Sequence, residues 1–289
     1  MLAGSMMAAL CPTGVLAEPV DEVLSQQTVT TVNVDSAENL LSEIEKATSP
    51  TVIQLTAAID LSEKAPKITE GQDITLNLNG QTLTTKKVIY VNGTLTIKDS
   101  QESGMISGTV NNMITVNSTG NLTLESGVLQ TTKNGAVKTN TSNDKDSKFT
   151  VNGGKLIGQK ALVSSGGIVN IISGRLELIE GSTSYAIDNT SATITIGTNG
   201  ETSKEAPWID GLDIGTNKSA NLYSGFITKV SGTFASGTVF GSSFGSDISN
   251  SLPAGKICVK ENDKFTVQDL TEESDAAAKI GDTLYSSTT

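Results

Sequence analysis

Apolar and polar residues alternate along most of this chain in short runs that Gly, Asn and Ser interrupt. A period of two residues is typical of half-buried β-strands, whose successive side chains point to opposite faces. One segment departs from this pattern: over residues 36–48 the apolar positions follow a helical period, and Asp35 or Ser36 can cap the helix. The pattern therefore predicts an all-β chain that begins with one short helix.

Three families of strand-like segment recur in the same order after Asp73. The family that contains LTI at 95–97 and LTL at 122–124 repeats at intervals of 20 to 27 residues. Self-similarity at this period indicates a solenoid, and three strands per coil predict a right-handed parallel β-helix with three sheet faces. A β-sandwich also has short strands, but hairpins do not explain three families in a fixed order. The predicted shared interior includes Leu122, Leu124, Ile171, Ile194 and Ile196.

The two ends of a solenoid expose sheet edges and core, and they need caps. The predicted helix suits the amino end. Six of the eleven aromatic residues lie between positions 208 and 244, and we expect these large rings to fill a tapering cap at the other end. The six residues are Trp208, Tyr223, Phe226, Phe234, Phe240 and Phe244.

The same patterns divide the chain into four segments. Residues 1–17 are uncharged and mostly small or apolar, which predicts a truncated signal peptide. Residues 18–30 are predicted to be a linker, and residues 31–268 the β-helix with its caps. Residues 269–289 are predicted to be an acidic linker and the start of a further module. We therefore expect the chain to be secreted or displayed at a cell surface.

The charge of the chain excludes some classes of partner. The net charge is −11, there is one arginine, and no basic stripe occurs along the sequence. Nucleic-acid binding is therefore not expected, and anionic lipid surfaces are disfavoured. No stretch beyond residues 1–17 is long and apolar enough to span a bilayer, so we expect no membrane insertion of the mature chain.

Several segments resemble pectate-lyase-like β-helix modules of large surface proteins from gut Gram-positive bacteria. NVDSAENLLSEIEKATSPTVIQLTAAIDL resembles the opening of such modules, and DITLNLNGQTLT with VNGTLTIKDS resembles their first coils. Residues 230–267 resemble the closing segment, with SGTF where the family has GGTF and with an inserted ASGTVFGSS. The resemblance implies a monomer within a tandem multi-module protein, with a host or bacterial surface glycan or protein as partner.

The residues needed for catalysis are scarce. Lyases on this scaffold use Ca²⁺ held by carboxylates and an arginine or lysine as base, whereas polygalacturonase-like hydrolases usually include a histidine, which this chain lacks. The single arginine, Arg175, is two residues from Glu177, so the two are predicted to form a surface pair on one side of a strand. We therefore predict no catalytic residue, no cofactor and no enzyme activity. The expected function is a non-catalytic adhesive module or structural spacer.

The alternative function is carbohydrate binding or polysaccharide degradation. Exposed rings stack on the C–H faces of sugars, and Trp208, Tyr185 and Tyr223 are the candidate glycan-binding residues. A role for Trp208 in the cap competes with this hypothesis. Threonine pairs on regular coils can also bind ice, but the TLT, TVN and TIT runs are not expected to align into a repeated flat array.

Two acidic segments are candidates for Ca²⁺ binding, because this ion prefers clustered oxygen ligands. Asp144 and Asp146 belong to a predicted turn insertion, and Asp210 and Asp213 belong to the segment WIDGLDIG. Neither segment has the spacing of an EF-hand or of a glycine-rich calcium repeat. Solvated turn residues are the favoured interpretation of all four carboxylates.

Overall fold

The computed structural model describes residues 29–142, 145–200, 204–215, 220–235 and 239–270. Short strands in these residues form three long sheets, here called A, B and C, and the chain visits them in that order in each turn from Thr51 to Ser231. Nearly all pairings are parallel and join a strand to its equivalent one turn earlier or later. The prediction of an all-β parallel β-solenoid is therefore confirmed.

The strands of the described residues are distributed as follows. Sheet A has nine: Thr30–Val34, Thr51–Leu55, Asp73–Asn77, Thr94–Lys98, Asn121–Leu124, Lys148–Val151, Ile168–Ile171, Thr193–Ile196 and Ala220–Leu222. Sheet B has eleven: Ile59–Leu61, Thr82–Thr85, Met105–Gly108, Val128–Thr131, Lys155–Gly158, Arg175–Leu178, Trp208–Ile209, Phe226–Ile227, Ser243–Phe244, Lys264–Asp269 and Lys256–Glu261. Sheet C has eight: Lys67–Ile68, Ile89–Val91, Ile114–Val116, Gly135–Thr139, Lys160–Ser164, Ile187–Asn189, Leu212–Asp213 and Val230–Ser231. A separate two-stranded ribbon joins Thr141–Ser142 to Lys145–Asp146.

The interior is a continuous stack of aliphatic side chains. Leu122 pairs with Leu95 in the preceding turn and with Phe149 in the following turn, so equivalent positions lie on top of one another. The five residues predicted to share the interior are all fully buried, and this prediction is confirmed. Burial of each such side chain contributes about 1.5–3 kcal/mol, and no turn could bury its own side chains alone.

An amide ladder and a closely packed glycine lie at the corner between sheets C and A. The side-chain amide of Asn117 donates to Asn92 (2.8 Å), and that of Asn140 donates to Asn117 (3.3 Å), which makes an amide ladder along the axis. Gly120 follows in the same corner, and a Cβ there would lie 2.2 Å from the carbonyl oxygen of Val91. The corner therefore requires glycine because the previous turn passes so close.

The single α-helix covers the amino end. It spans Ala37–Lys46, and the Ser36 hydroxyl accepts a hydrogen bond from the Asn39 amide as its N-cap. Leu40 and Ile44 are buried against the first turn. The helix predicted for residues 36–48 is confirmed, although it ends before Ala47.

An antiparallel hairpin closes the carboxyl end of sheet B. Its strands, Lys256–Glu261 and Lys264–Asp269, join the last parallel strand of the sheet. Phe234 and Phe244 are buried in the interior as predicted for the cap, but Trp208 and Phe226 occupy outward positions and Phe240 is 54% exposed. The expectation that all six rings fill the cap was therefore wrong, because strand alternation turns Trp208 and Phe226 outward.

Some expected segments lie outside the described residues. These are the signal peptide at 1–17, the linker at 18–30 except its last two residues, and the linker after residue 270. The closing hairpin runs to Asp269, one residue past the expected boundary of the β-helix.

Candidate functional site

A column of outward side chains crosses sheet B near its carboxyl end. Arg175 pairs in register with Lys155 on one side and with Trp208 on the other, and Trp208 pairs with Phe226. These residues point outward because their strand neighbours, such as Leu176 and Ile209, are fully buried in the interior. We call Arg175, Trp208 and Phe226 the aromatic column.

The members of the aromatic column contact one another through their side chains. The Arg175 guanidinium carbon lies 4.5 Å from the centroid of the Trp208 ring, and the Trp208 and Phe226 centroids are 6.5 Å apart. The Lys264 ammonium lies 5.3 Å from the Phe226 centroid. Cations at these distances are attracted to ring faces, so the two adjacent rings lie between two cations.

Glu177 neutralises part of this positive charge. Its carboxylate accepts a hydrogen bond from the Arg175 Nε at 2.7 Å and lies 2.9 Å from the Lys155 ammonium. Burial opposes ionisation of Glu177, but the hydrogen bonds from Lys155 and Arg175 outweigh it and lower its pKa. The predicted pair of Arg175 with Glu177 is confirmed.

The three candidate glycan-binding residues do not form one site. Trp208 belongs to the aromatic column on sheet B. Tyr185 lies at the corner between sheets B and C, where the Lys229 ammonium is 4.8 Å from its ring centroid. Tyr223 lies at the corner between sheets A and B and stacks on Phe240 with centroids 4.9 Å apart. The solenoid separates these rings because it sends each to a different face or corner.

The candidate Ca²⁺ ligands are likewise dispersed. Asp210 follows a strand of sheet B and accepts a hydrogen bond from Thr228 at 3.0 Å. Asp213 lies in sheet C and accepts the Gly215 amide at 3.1 Å. Asp144 and the side chain of Asp146 lie outside the described residues. Within the described ranges, no three acidic, cysteine or histidine side chains gather as a metal site would require.

A threonine column lies on the outer face of sheet A. Thr75, Thr96, Thr123 and Thr150 pair in register along successive turns, followed by Asn170 and Thr195. The outward positions two residues before this column are Asp73, Thr94, Asn121, Lys148 and Ile168, so the threonines do not pair into a repeated flat array, as expected. The LTI, LTL and FTV segments that recur in the sequence already place Thr96, Thr123 and Thr150 at equivalent positions, and the strand register adds Thr75.

Comparison with known proteins gives no relative from which the function of this chain could be inferred. No protein-family model, no curated protein and no solved structure matches this chain. None of the helices in the described part of the chain has the length and apolar character needed to cross a bilayer.

Proposed function

We propose that this chain is a non-catalytic module of a secreted or cell-surface protein and acts as a rigid structural or adhesive spacer. One observation carries the proposal: the aliphatic interior and the three sheets continue without interruption from the capping helix to the closing hairpin. The resemblance of the sequence to pectate-lyase-like surface modules supports it.

Rigidity follows from the way the turns are joined. Backbone hydrogen bonds run along the axis, and each turn is bonded to both neighbours through sheets A, B and C. Eight turns at about 4.8 Å each give a rod of roughly 40 Å. A stack of this kind bends only where hydrogen bonds and interior packing are lost together.

The surroundings of Arg175 support a non-catalytic role. A guanidinium that acts as a base must give up its proton, whereas Arg175 is bound to the carboxylate of Glu177 and stacked on Trp208. Both contacts occupy the guanidinium on the surface of sheet B. The arrangement therefore suits a structural contact on the surface of sheet B rather than proton abstraction.

Two measurements test the spacer proposal. Small-angle scattering of purified residues 29–270 should fit a rod of fixed length with no interdomain flexibility. Incubation with polygalacturonate, with and without Ca²⁺, should release no unsaturated or reducing products. A flexible scattering profile contradicts the rigid spacer, and product release that is lost on Arg175→Ala contradicts the absence of catalysis.

A second candidate function is carbohydrate binding at the aromatic column. The observation that favours it is the alignment of Trp208 and Phe226 on an outward face with the charged groups of Arg175 and Glu177 beside them. Sugar rings stack on such surfaces, and charged groups bind their hydroxyls. On a glycan array, Trp208→Ala should abolish any signal that the control Tyr185→Ala retains. Equal signals from both variants contradict a site at the column.

A further inference from the structure

Five Asn-Gly pairs occur in the chain, and one of them differs from the others in its surroundings. The backbone nitrogen that follows an asparagine can attack the side-chain amide carbon, which makes asparagine a thermolabile residue. The attack is fastest when the next residue is glycine, because glycine has no Cβ to hinder the approach. The asparagines of the five pairs are Asn79, Asn92, Asn134, Asn152 and Asn199.

Four of the pairs lie at corners between sheets, and their side-chain amides are tied to adjacent turns. Each of these amides is half-buried and takes part in a hydrogen bond of 2.8 to 3.4 Å that crosses from one turn to the next. The bonded pairs are Asn79 with Leu55, Asn92 with Asn117, Asn134 with Asn112, and Asn152 with Glu125. The carbon that would be attacked is therefore held in place at all four positions.

The glycines of these four pairs are held as well. The Gly80 and Gly93 amides donate to groups of adjacent turns at 2.7 and 3.2 Å. Gly135 is buried in a strand of sheet C, and a Cβ on Gly153 would lie 2.5 Å from a carbonyl oxygen of the preceding turn. None of the four nitrogens can reach its asparagine side chain unless neighbouring turns separate.

The fifth pair lies in the connection from sheet A to sheet B that follows the strand Thr193–Ile196. Asn199 and Gly200 are both exposed, and a Cβ on Gly200 would have nothing within 4 Å. The Thr198 hydroxyl donates to the Gly200 carbonyl at 3.3 Å, but neither the Gly200 amide nor the Asn199 side chain is hydrogen-bonded to a described residue. The attacking nitrogen and the attacked carbon are thus unrestrained by neighbouring turns.

We infer that Asn199 is a site of spontaneous modification, at which the folded chain deamidates ahead of its other four Asn-Gly pairs. The Gly200 nitrogen bonds to Cγ of Asn199, the bond from Cγ to Nδ2 breaks, and ammonia leaves with the proton of the Gly200 amide. Water then opens the resulting succinimide ring at one of its two carbonyls. Opening at the side-chain carbonyl gives aspartate, and opening at the backbone carbonyl gives isoaspartate.

The modification changes the surface and leaves the core in place. Either product adds one negative charge to the net charge of −11, and isoaspartate also lengthens the backbone by one carbon. Ile196 and Gly197 are buried, whereas the backbone at Asn199 and Gly200 is outside the stacked strands. We therefore expect the modified chain to keep its fold and to differ in one surface loop.

Peptide mapping by mass spectrometry compares the five sites in one sample. Trypsin places each Asn-Gly pair in a separate peptide, and the pair at 199–200 falls in residues 176–204. In mildly alkaline buffer, the folded chain should deamidate at Asn199 at least about tenfold faster than at any other pair, because the corners must first open. In urea the five rates should converge, and isoaspartyl methyltransferase labelling of the peptide identifies the isoaspartate product.

A matched pair of glycine variants tests the chemistry. Gly181 lies in the same tryptic peptide as Gly200, also has a positive φ and open space around an added Cβ, and follows Glu180 instead of an asparagine. Gly200→Ala should slow deamidation of Asn199 at least about tenfold, because the new Cβ hinders the nitrogen. Gly181→Ala should leave the rate unchanged. Thermal unfolding of both variants is the folding control.

Three results overturn the inference. The first is a rate at Asn199 in the folded chain that is equal to or below the rate at any corner pair. The second is an unchanged rate at Asn199 in Gly200→Ala. The third is an equal loss of rate in the two variants, which would assign the effect to altered backbone strain instead of to the attacking nitrogen. The comparison of the five sites needs no variant, so it decides the question even if a substitution impairs folding.

Discussion

The middle of the solenoid and its carboxyl end consist of the same kind of turn, but their strands differ in length and in pairing. Between residues 73 and 196 the strands of the three sheets contain three to five residues, and every pairing is parallel. Between residues 208 and 244 the described strands contain two or three residues, and the chain then ends in an antiparallel hairpin. A strand of three to five residues is joined to the adjacent turns at more positions than a strand of two or three residues.

This difference shows where a solenoid can accommodate irregular features. Middle turns have a neighbour on each side, so their side chains must match in both directions. At the carboxyl end the last turn has a neighbouring turn on one side, and a ring such as Phe240 lies outside the core. The following predictions test whether the middle and the end differ in energy as they do in geometry.

The largest expected effect comes from removing a buried ring. Phe149 and Phe244 are both fully buried, the first in the middle and the second in the last parallel strand of sheet B. Phe149→Ala should lower the free energy of unfolding of the whole chain by about 4 kcal/mol, measured by denaturant titration. Phe244→Ala should open mainly the turns after residue 220, measured by hydrogen exchange. Identical exchange patterns in the two variants would contradict the comparison.

The next largest difference in stability between the two regions is expected for glycine substitutions. Gly120→Ala places a Cβ 2.2 Å from the Val91 carbonyl oxygen, so the turns must move apart at a cost of about 3 kcal/mol. Gly255 near the closing hairpin has φ +82° and nothing within 4 Å of an added Cβ, so Gly255→Ala meets only backbone strain of about 1 kcal/mol. Thermal unfolding of both variants measures the difference, and an equal loss would show that crowding between turns is unimportant.

Buried carboxylates provide a third test. Asp99 is buried at a corner of the regular region, where its carboxylate accepts the amides of Gly80 and Gly104. Asp99→Asn should cost about 2 kcal/mol because charge-assisted bonds are weakened. Asp213→Asn should cost about 0.5 kcal/mol, since among the described residues that half-exposed carboxylate accepts the Gly215 amide alone. Denaturant titration checks both values, and a larger loss for Asp213→Asn would reverse the comparison.

The smallest effect is expected where the two regions meet, at Glu177. Its folded pKa lies below the ordinary value of 4.5, so its contribution to stability is present above pH 4.5 and is lost as the pH falls below it. Glu177→Gln should therefore cost about 0.5 kcal/mol at pH 7, where solvent screens the pairs with Lys155 and Arg175. Unfolding measured from pH 7 to pH 3 should show the two proteins converge. A gap that stays constant over this range would assign the loss to packing.

Much of the fold could be predicted from the sequence, because alternation and repeat period depend on local residue types. The helix at its Ser36 cap and the burial of Leu122 and Leu124 follow from such patterns. The surface could not be predicted in the same way. The alignment of Thr75 with Thr96 depends on coil lengths that vary from turn to turn.

The candidate site shows the same division. The pair of Arg175 and Glu177 follows from a spacing of two residues within one strand, and the structure confirms it. The contact of Arg175 with Trp208 joins residues 33 positions apart. It could not be predicted, because the sequence pattern does not fix the length of the turn between them. Tyr185 and Tyr223 were grouped with Trp208 by residue type alone, and the solenoid sends them to different corners.

The sequence by itself determined which side chains face inward, since alternation with period two acts within each strand and needs no partner. The tertiary structure alone decided which outward side chains become neighbours. Stacking in parallel register places residues from separate turns about 4.8 Å apart, whatever the length of the loops between them. Which residues are buried is thus set locally within each strand, whereas the aromatic column and the threonine column result from the register between turns.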